Sequence, residues 1–128
     1  MTIEIGMQAE VSTLVEKEDT ADMVGSGSLL VYATPCMAAL MEGAACEAIE
    51  AGLAENETSV GIELNLKHTA ATPVGMEVRA TAIVNAVEGK IITFEIKAYD
   101  ESGEIGSATH KRAVVNPQRF LDKTYAKL

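Results

Sequence analysis

The sequence predicts an α+β fold in which an antiparallel sheet is laid against one central helix. Three observations carry this. A helix-like stretch over residues 34–51 separates one early strand from a block of later ones. Within residues 58–115, apolar side chains recur at every second position. The turns at Gly89 and Gly103 leave no room for the helices that a doubly wound parallel sheet inserts between its strands.

The elements follow in order. Residues 3–15 mix β-branched and polar side chains and read as a first strand. Residues 16–30 are charged and then glycine-rich through Gly25-Ser26-Gly27-Ser28, a flexible segment suited to covering a site. Thr34 followed by Pro35 reads as an N-cap and first helical turn, and Gly52 as a stop. Val60, Ile62, Leu64 and Leu66 share one face of a strand over 58–68. The Thr72-Pro73-Val74-Gly75 turn leads to a strand over 76–88, and Glu88-Gly89-Lys90 marks a tight hairpin. Ile92, Phe94, Ile96 and Ala98 form the next alternating run. A turn at 101–104 precedes a last strand over 105–115. Asn116-Pro117 repeats the cap-then-proline pattern and predicts a short closing helix over 117–126, with Phe120 and Leu121 inward.

The length of 128 residues suits one domain spanning 1–128, and 48% apolar content supports a packed core. A formal net charge of -9 argues against general affinity for nucleic acid. Cys36 and Cys46 fall on one helix, roughly 15 Å apart along its axis, too far for a mutual disulfide. Two reduced cysteines, with neither a secretory leader nor a long uncharged apolar run, point to a cytoplasmic protein that does not span a membrane. Two histidines 42 residues apart, without HxxxH or CxxC spacing, offer no metal site.

The informative residues are polar ones where the period calls for apolar ones. Met37, Leu40, Met41, Ala44, Ala45, Ala48 and Ile49 make a broad apolar arc on the helix, and Glu42 falls on its shoulder. Such a carboxylate either reaches solvent at the boundary or sits partly desolvated in a site. His68 shares the parity of Leu64 and Leu66, as a structural histidine or a catalytic one. Thr34 is explained by capping alone, although a hydroxyl there also suits a reactive centre. His110 and Arg112 share one face of the last strand, where Arg112 needs an anion, either a protein carboxylate or a ligand phosphate.

Taken together, Ala33-Thr34-Pro35, Ala39-Leu40-Met41-Glu42, Thr58-Ser59-Val60-Gly61, His68, Thr72-Pro73-Val74-Gly75 and Thr109-His110-Lys111-Arg112-Ala113-Val114 resemble the hotdog-fold thioesterases of the fluoroacetyl-CoA thioesterase family. The resemblance spans about residues 10–116. It implies a five-stranded antiparallel sheet wrapped around the helix, and an acyl-CoA thioesterase with Thr34, Glu42 and His68 as catalytic residues. It implies further that Gly61 presents its N–H to the thioester carbonyl and that Arg112 helps hold the CoA portion. No cofactor is implied, since CoA belongs to the substrate. Hotdog domains pair their sheets and build sites between subunits, which implies a homodimer, or a tetramer of paired dimers.

Two mechanisms stay open for Glu42: attack on the thioester to give an anhydride, favoured by the resemblance, or activation of water. The segment 20–32 departs from the family's phenylalanine-rich lid, with Leu29, Leu30, Val31 and Tyr32 instead. A small to medium acyl group, or an aromatic one, is therefore expected rather than fluoroacetyl specificity. The alternative is a non-catalytic acyl-CoA binding or sensing module. A hotdog dehydratase would bring an Asp and His pair that is not found.

Overall fold

A computed structural model describes residues 1–128. The strands are β1 (Gln8–Leu14), β2 (Thr58–His68), β3 (Glu77–Glu88), β4 (Ile91–Asp100) and β5 (Gly103–Val115). The helices are α1 (Ala21–Val24), α2 (Thr34–Ile49) and α3 (Pro117–Tyr125). The five strands form one antiparallel sheet in the order β1-β3-β4-β5-β2. This is the hotdog arrangement expected, with α2 lying across the sheet.

Alternation builds the core. Val78, Ala80, Ala82 and Val84 on β3 face inward with Ile92, Phe94, Ile96 and Ala98 on β4, all buried. They meet Met37, Met41, Ala44, Ala45, Ala48 and Ile49 of α2. Alanines on both layers let helix and sheet approach closely, and the methionines fill the remaining gaps. The β3–β4 hairpin turns on Gly89 at a φ of +62°, open to glycine at little cost. Gly106, opposite His68 in the β2–β5 register, is tighter still. A Cβ there would lie 2.6 Å from Met37 Cε and 2.7 Å from the Lys67 carbonyl oxygen.

Four details differ from the sequence expectations. The first strand begins only at Gln8, and the segment after it contains the single-turn helix α1, tied back by bridges of Thr20 to Tyr32 and Val31 to Pro73. Ala33, not Thr34, is the N-cap of α2, so Thr34 is already its first helical residue. The alternation of β2 is broken by a bulge between Gly61 and Glu63. A bulge inserts one unpaired residue, so everything before it changes face. Ile62 is 53% exposed, and Ser59 and Gly61 take the inward parity in place of Val60. Finally, Asn116 caps α3 by accepting from the Arg119 N–H as expected, but Phe120 and Leu121 are exposed because α3 packs no residue into the core. No helix is long and apolar enough to cross a membrane.

Candidate active site

Two clusters arise where side chains of α2 reach residues of β2 and β5. The first lies at the start of α2. Thr34 Oγ1 is 2.8 Å from His68 Nδ1, joining the first helical residue to the last residue of β2. His68 Nε2 is buried with no hydrogen-bond partner. Burial pushes the His68 imidazole below its ordinary value, partly offset by the Ala70 backbone, so the neutral ring is favoured. An open depression of about 290 Å³ adjoins the pair, lined by Ala21, Ser26, Val31, Tyr32, Ala70 and Ala71. The α1 segment thus edges the site, as the glycine-rich stretch suggested.

The second cluster gathers around Glu42, two helical turns further along α2. Its Oε2 accepts from Arg112 Nη1 at 3.4 Å and lies 3.8 Å from His110 Nε2. Gly61 makes the approach possible, since a Cβ there would fall 2.6 Å from Glu42 Oε2. The β2 bulge is what points the Gly61 position at this carboxylate. Arg112 is only 7% exposed, and its Nε donates to Ser59 Oγ at 2.8 Å and its Nη2 to the Ser59 carbonyl at 3.1 Å. Within the chain, Glu42 is the carboxylate in reach of Arg112, at 3.4 Å.

Within one chain the clusters stay apart. Eight residues of helix separate Thr34 from Glu42, a rise of roughly 12 Å. Thr34 and His68 are brought together, as are Glu42, Gly61 and Arg112, but Glu42 does not reach the threonine–histidine pair. His110, which sequence reading gave no role, sits inside the second cluster. Its one sequence signal was parity with Arg112. No group of three or more His, Cys, Asp or Glu side chains is placed to hold a metal ion.

Comparison with known proteins gives the site its context. The family model described as fluoroacetyl-CoA-specific thioesterase matches residues 15–118. A fluoroacetyl-CoA thioesterase of Streptantibioticus cattleyicolor is 41% identical over 97 residues, covering 76% of this chain and 70% of the relative. The solved structure of a fluoroacetyl-CoA thioesterase superposes with a TM-score of 0.93 at 32% identity, over 100% of this chain and 99% of that one. A Thermus thermophilus protein, described as a thioesterase superfamily member, superposes with a TM-score of 0.85 at 28% identity over 98% of each chain. Fold and relatives together define the class, a hotdog-fold thioester hydrolase. Within that class, the chain belongs to the fluoroacetyl-CoA-specific thioesterase family.

Proposed function

We propose that the protein hydrolyses a small to medium acyl-CoA at a site shared between two copies of the chain, with Thr34 and His68 from one and Glu42 from the other. The observation that carries this reading is the separation of the two clusters along α2, together with the free outer edge of β2. That edge strand is eleven residues long and hydrogen-bonded on one side only. An exposed edge of this length is a template for a further strand. Antiparallel pairing of β2 with its symmetry mate, about a two-fold axis near the strand's midpoint, sets the Gly61 end of one copy beside the His68 end of the other. Glu42 accompanies Gly61, and Thr34 accompanies His68, so each dimer holds two complete sites.

The chemistry follows from the residue types. Glu42 attacks the thioester carbonyl, forming a mixed anhydride as the C–S bond breaks and the CoA thiolate leaves. The Gly61 N–H steadies the carbonyl oxygen during attack. Neutral His68, held through Nδ1 by Thr34, takes a proton from water, and the resulting hydroxide opens the anhydride. The acid departs, Glu42 is regenerated, and the proton passes to the thiolate. Direct activation of water by Glu42 would use the same residues.

Arg112 was expected to help hold CoA. Its contacts with Ser59, His110 and Glu42 support a different duty, orienting the carboxylate. The modest volume of the depression, about 290 Å³, supports a small to medium acyl group. Thiol release from a panel of acyl-CoA esters tests the function. Turnover of short or medium esters is expected; tight binding of CoA esters with no turnover of any would favour the sensing module instead.

A further inference from the structure

We infer that His110 is a positioning residue for the proposed hydrolysis, holding Arg112 to a single glancing contact with Glu42. The inference rests on that functional reading and extends it to a residue that contacts no substrate.

The ring's state follows from its neighbours. His110 is 1% exposed, flanked by the Phe94 ring of β4 at a centroid distance of 5.9 Å. Its Nδ1 lies 2.7 Å from the Glu63 carbonyl oxygen on β2. A carbonyl only accepts, so Nδ1 carries the proton and donates it. In the neutral ring Nε2 is then a bare acceptor, and Arg112 Nη1 donates to it at 3.1 Å. Burial, aided by the Arg112 charge, disfavours protonation and maintains this arrangement. The charged groups facing the ring are Arg112 from its own strand and Glu42 from α2.

The consequence concerns the guanidinium. Ser59 takes Nε and Nη2, and His110 takes one N–H of Nη1, leaving Nη1 to reach Glu42 Oε2 at 3.4 Å. A free guanidinium beside a carboxylate closes to a bidentate pair at about 2.8 Å. Such a pair would occupy both Glu42 oxygens and leave neither to attack. With Ser59 keeping Nε and Nη2, His110 restrains the remaining Nη1 and so prevents that closure, while Arg112 still aims the carboxylate. The β2 bulge belongs to the same device, because Glu63, its first residue back in register, supplies the carbonyl that fixes the His110 tautomer.

Crystal structures and steady-state kinetics of His110→Leu and His110→Gln test this. In His110→Leu the Arg112–Glu42 contact is expected to shorten from 3.4 Å toward about 2.8 Å. Its kcat is expected to fall about tenfold or more with KM nearly unchanged. His110→Gln places an amide oxygen near the lost Nε2 and is expected to restore most of kcat. Should His110→Leu fail to fold, His110→Phe carries the same readouts. An unchanged contact and unchanged kcat, with any loss confined to melting temperature, would overturn the inference. Absence of turnover in the unsubstituted protein would instead overturn the hydrolase reading, and the contact distance would still decide the role of His110.

Discussion

Thr34 Oγ1 and His68 Nδ1, 2.8 Å apart, tie the first turn of α2 to the far end of β2. Because Ala33 takes the cap position, the Thr34 hydroxyl is not spent on the helix and is left to the imidazole. Thr34→Ala is therefore expected to leave stability within about 0.5 kcal/mol, as for exposed substitutions generally. It should lower kcat about tenfold to a hundredfold by freeing the ring. Thr34→Ser should keep most of the activity. Melting curves and thiol-release rates on the same preparations check both halves.

Gly61→Ala separates activity from stability in a different way. The added Cβ meets Glu42 Oε2 at 2.6 Å and, more loosely at 3.3 Å, Arg112 Nη1 and His110 Cε1, none of them backbone, so the fold yields chiefly by turning the Glu42 side chain aside. A small change in melting temperature with near-complete loss of thiol release is expected. Gly106→Ala is the contrast, because its Cβ meets the Lys67 carbonyl at 2.7 Å and should destabilise strongly.

Both histidines are held below the ordinary imidazole value of 6.5, by burial first of all. A group with a lowered value in the fold binds more protons when unfolded, so stability rises with pH between the two values. The histidine contribution is thus complete above 6.5 and is lost as pH falls through the folded-state values below it. On the proposed mechanism, in which neutral His68 takes the proton, activity should persist through pH 6.5 and fall only in more acidic buffer. Denaturant melts across this range, compared with the same melts of His110→Gln, check the sign.

Asp100 braces the loop that follows His68. Its Oδ2 accepts from the buried Thr72 hydroxyl at 2.8 Å, and its Oδ1 accepts from the Ser102 and Gly103 N–H groups at 2.7 and 3.2 Å. Asp100→Ala leaves those donors without their carboxylate and should cost about 1–3 kcal/mol by chemical denaturation.

Much of the fold was legible because local signals agreed. The glycine turns, the Asn116-Pro117 cap and the alternation of β3 and β4 all point to one sheet with one long helix. The bulge at Ile62 was not legible, since an unbroken run of alternating apolar residues carries no mark of an inserted one. That slip concealed the inward path of Ser59 and Gly61, and with it why Arg112 and Glu42 meet. Phe120 and Leu121 look like core residues by composition, but their helix lies beyond the last strand with nothing above it. The candidate site was legible as residue types through the family resemblance. Its division into two clusters was not, because periodicity places residues on faces and says little about distance along a helix.

The shared site is tested most directly by subunit complementation, with His68→Ala and Glu42→Gln prepared separately and then mixed under conditions that exchange subunits. Each variant alone is expected to be inactive, whereas mixed dimers carry one intact site. At equal amounts and random exchange, the mixture should recover about one quarter of the unsubstituted thiol-release rate. A mixture as inactive as its components, with exchange verified by mass, would contradict a site built from two copies.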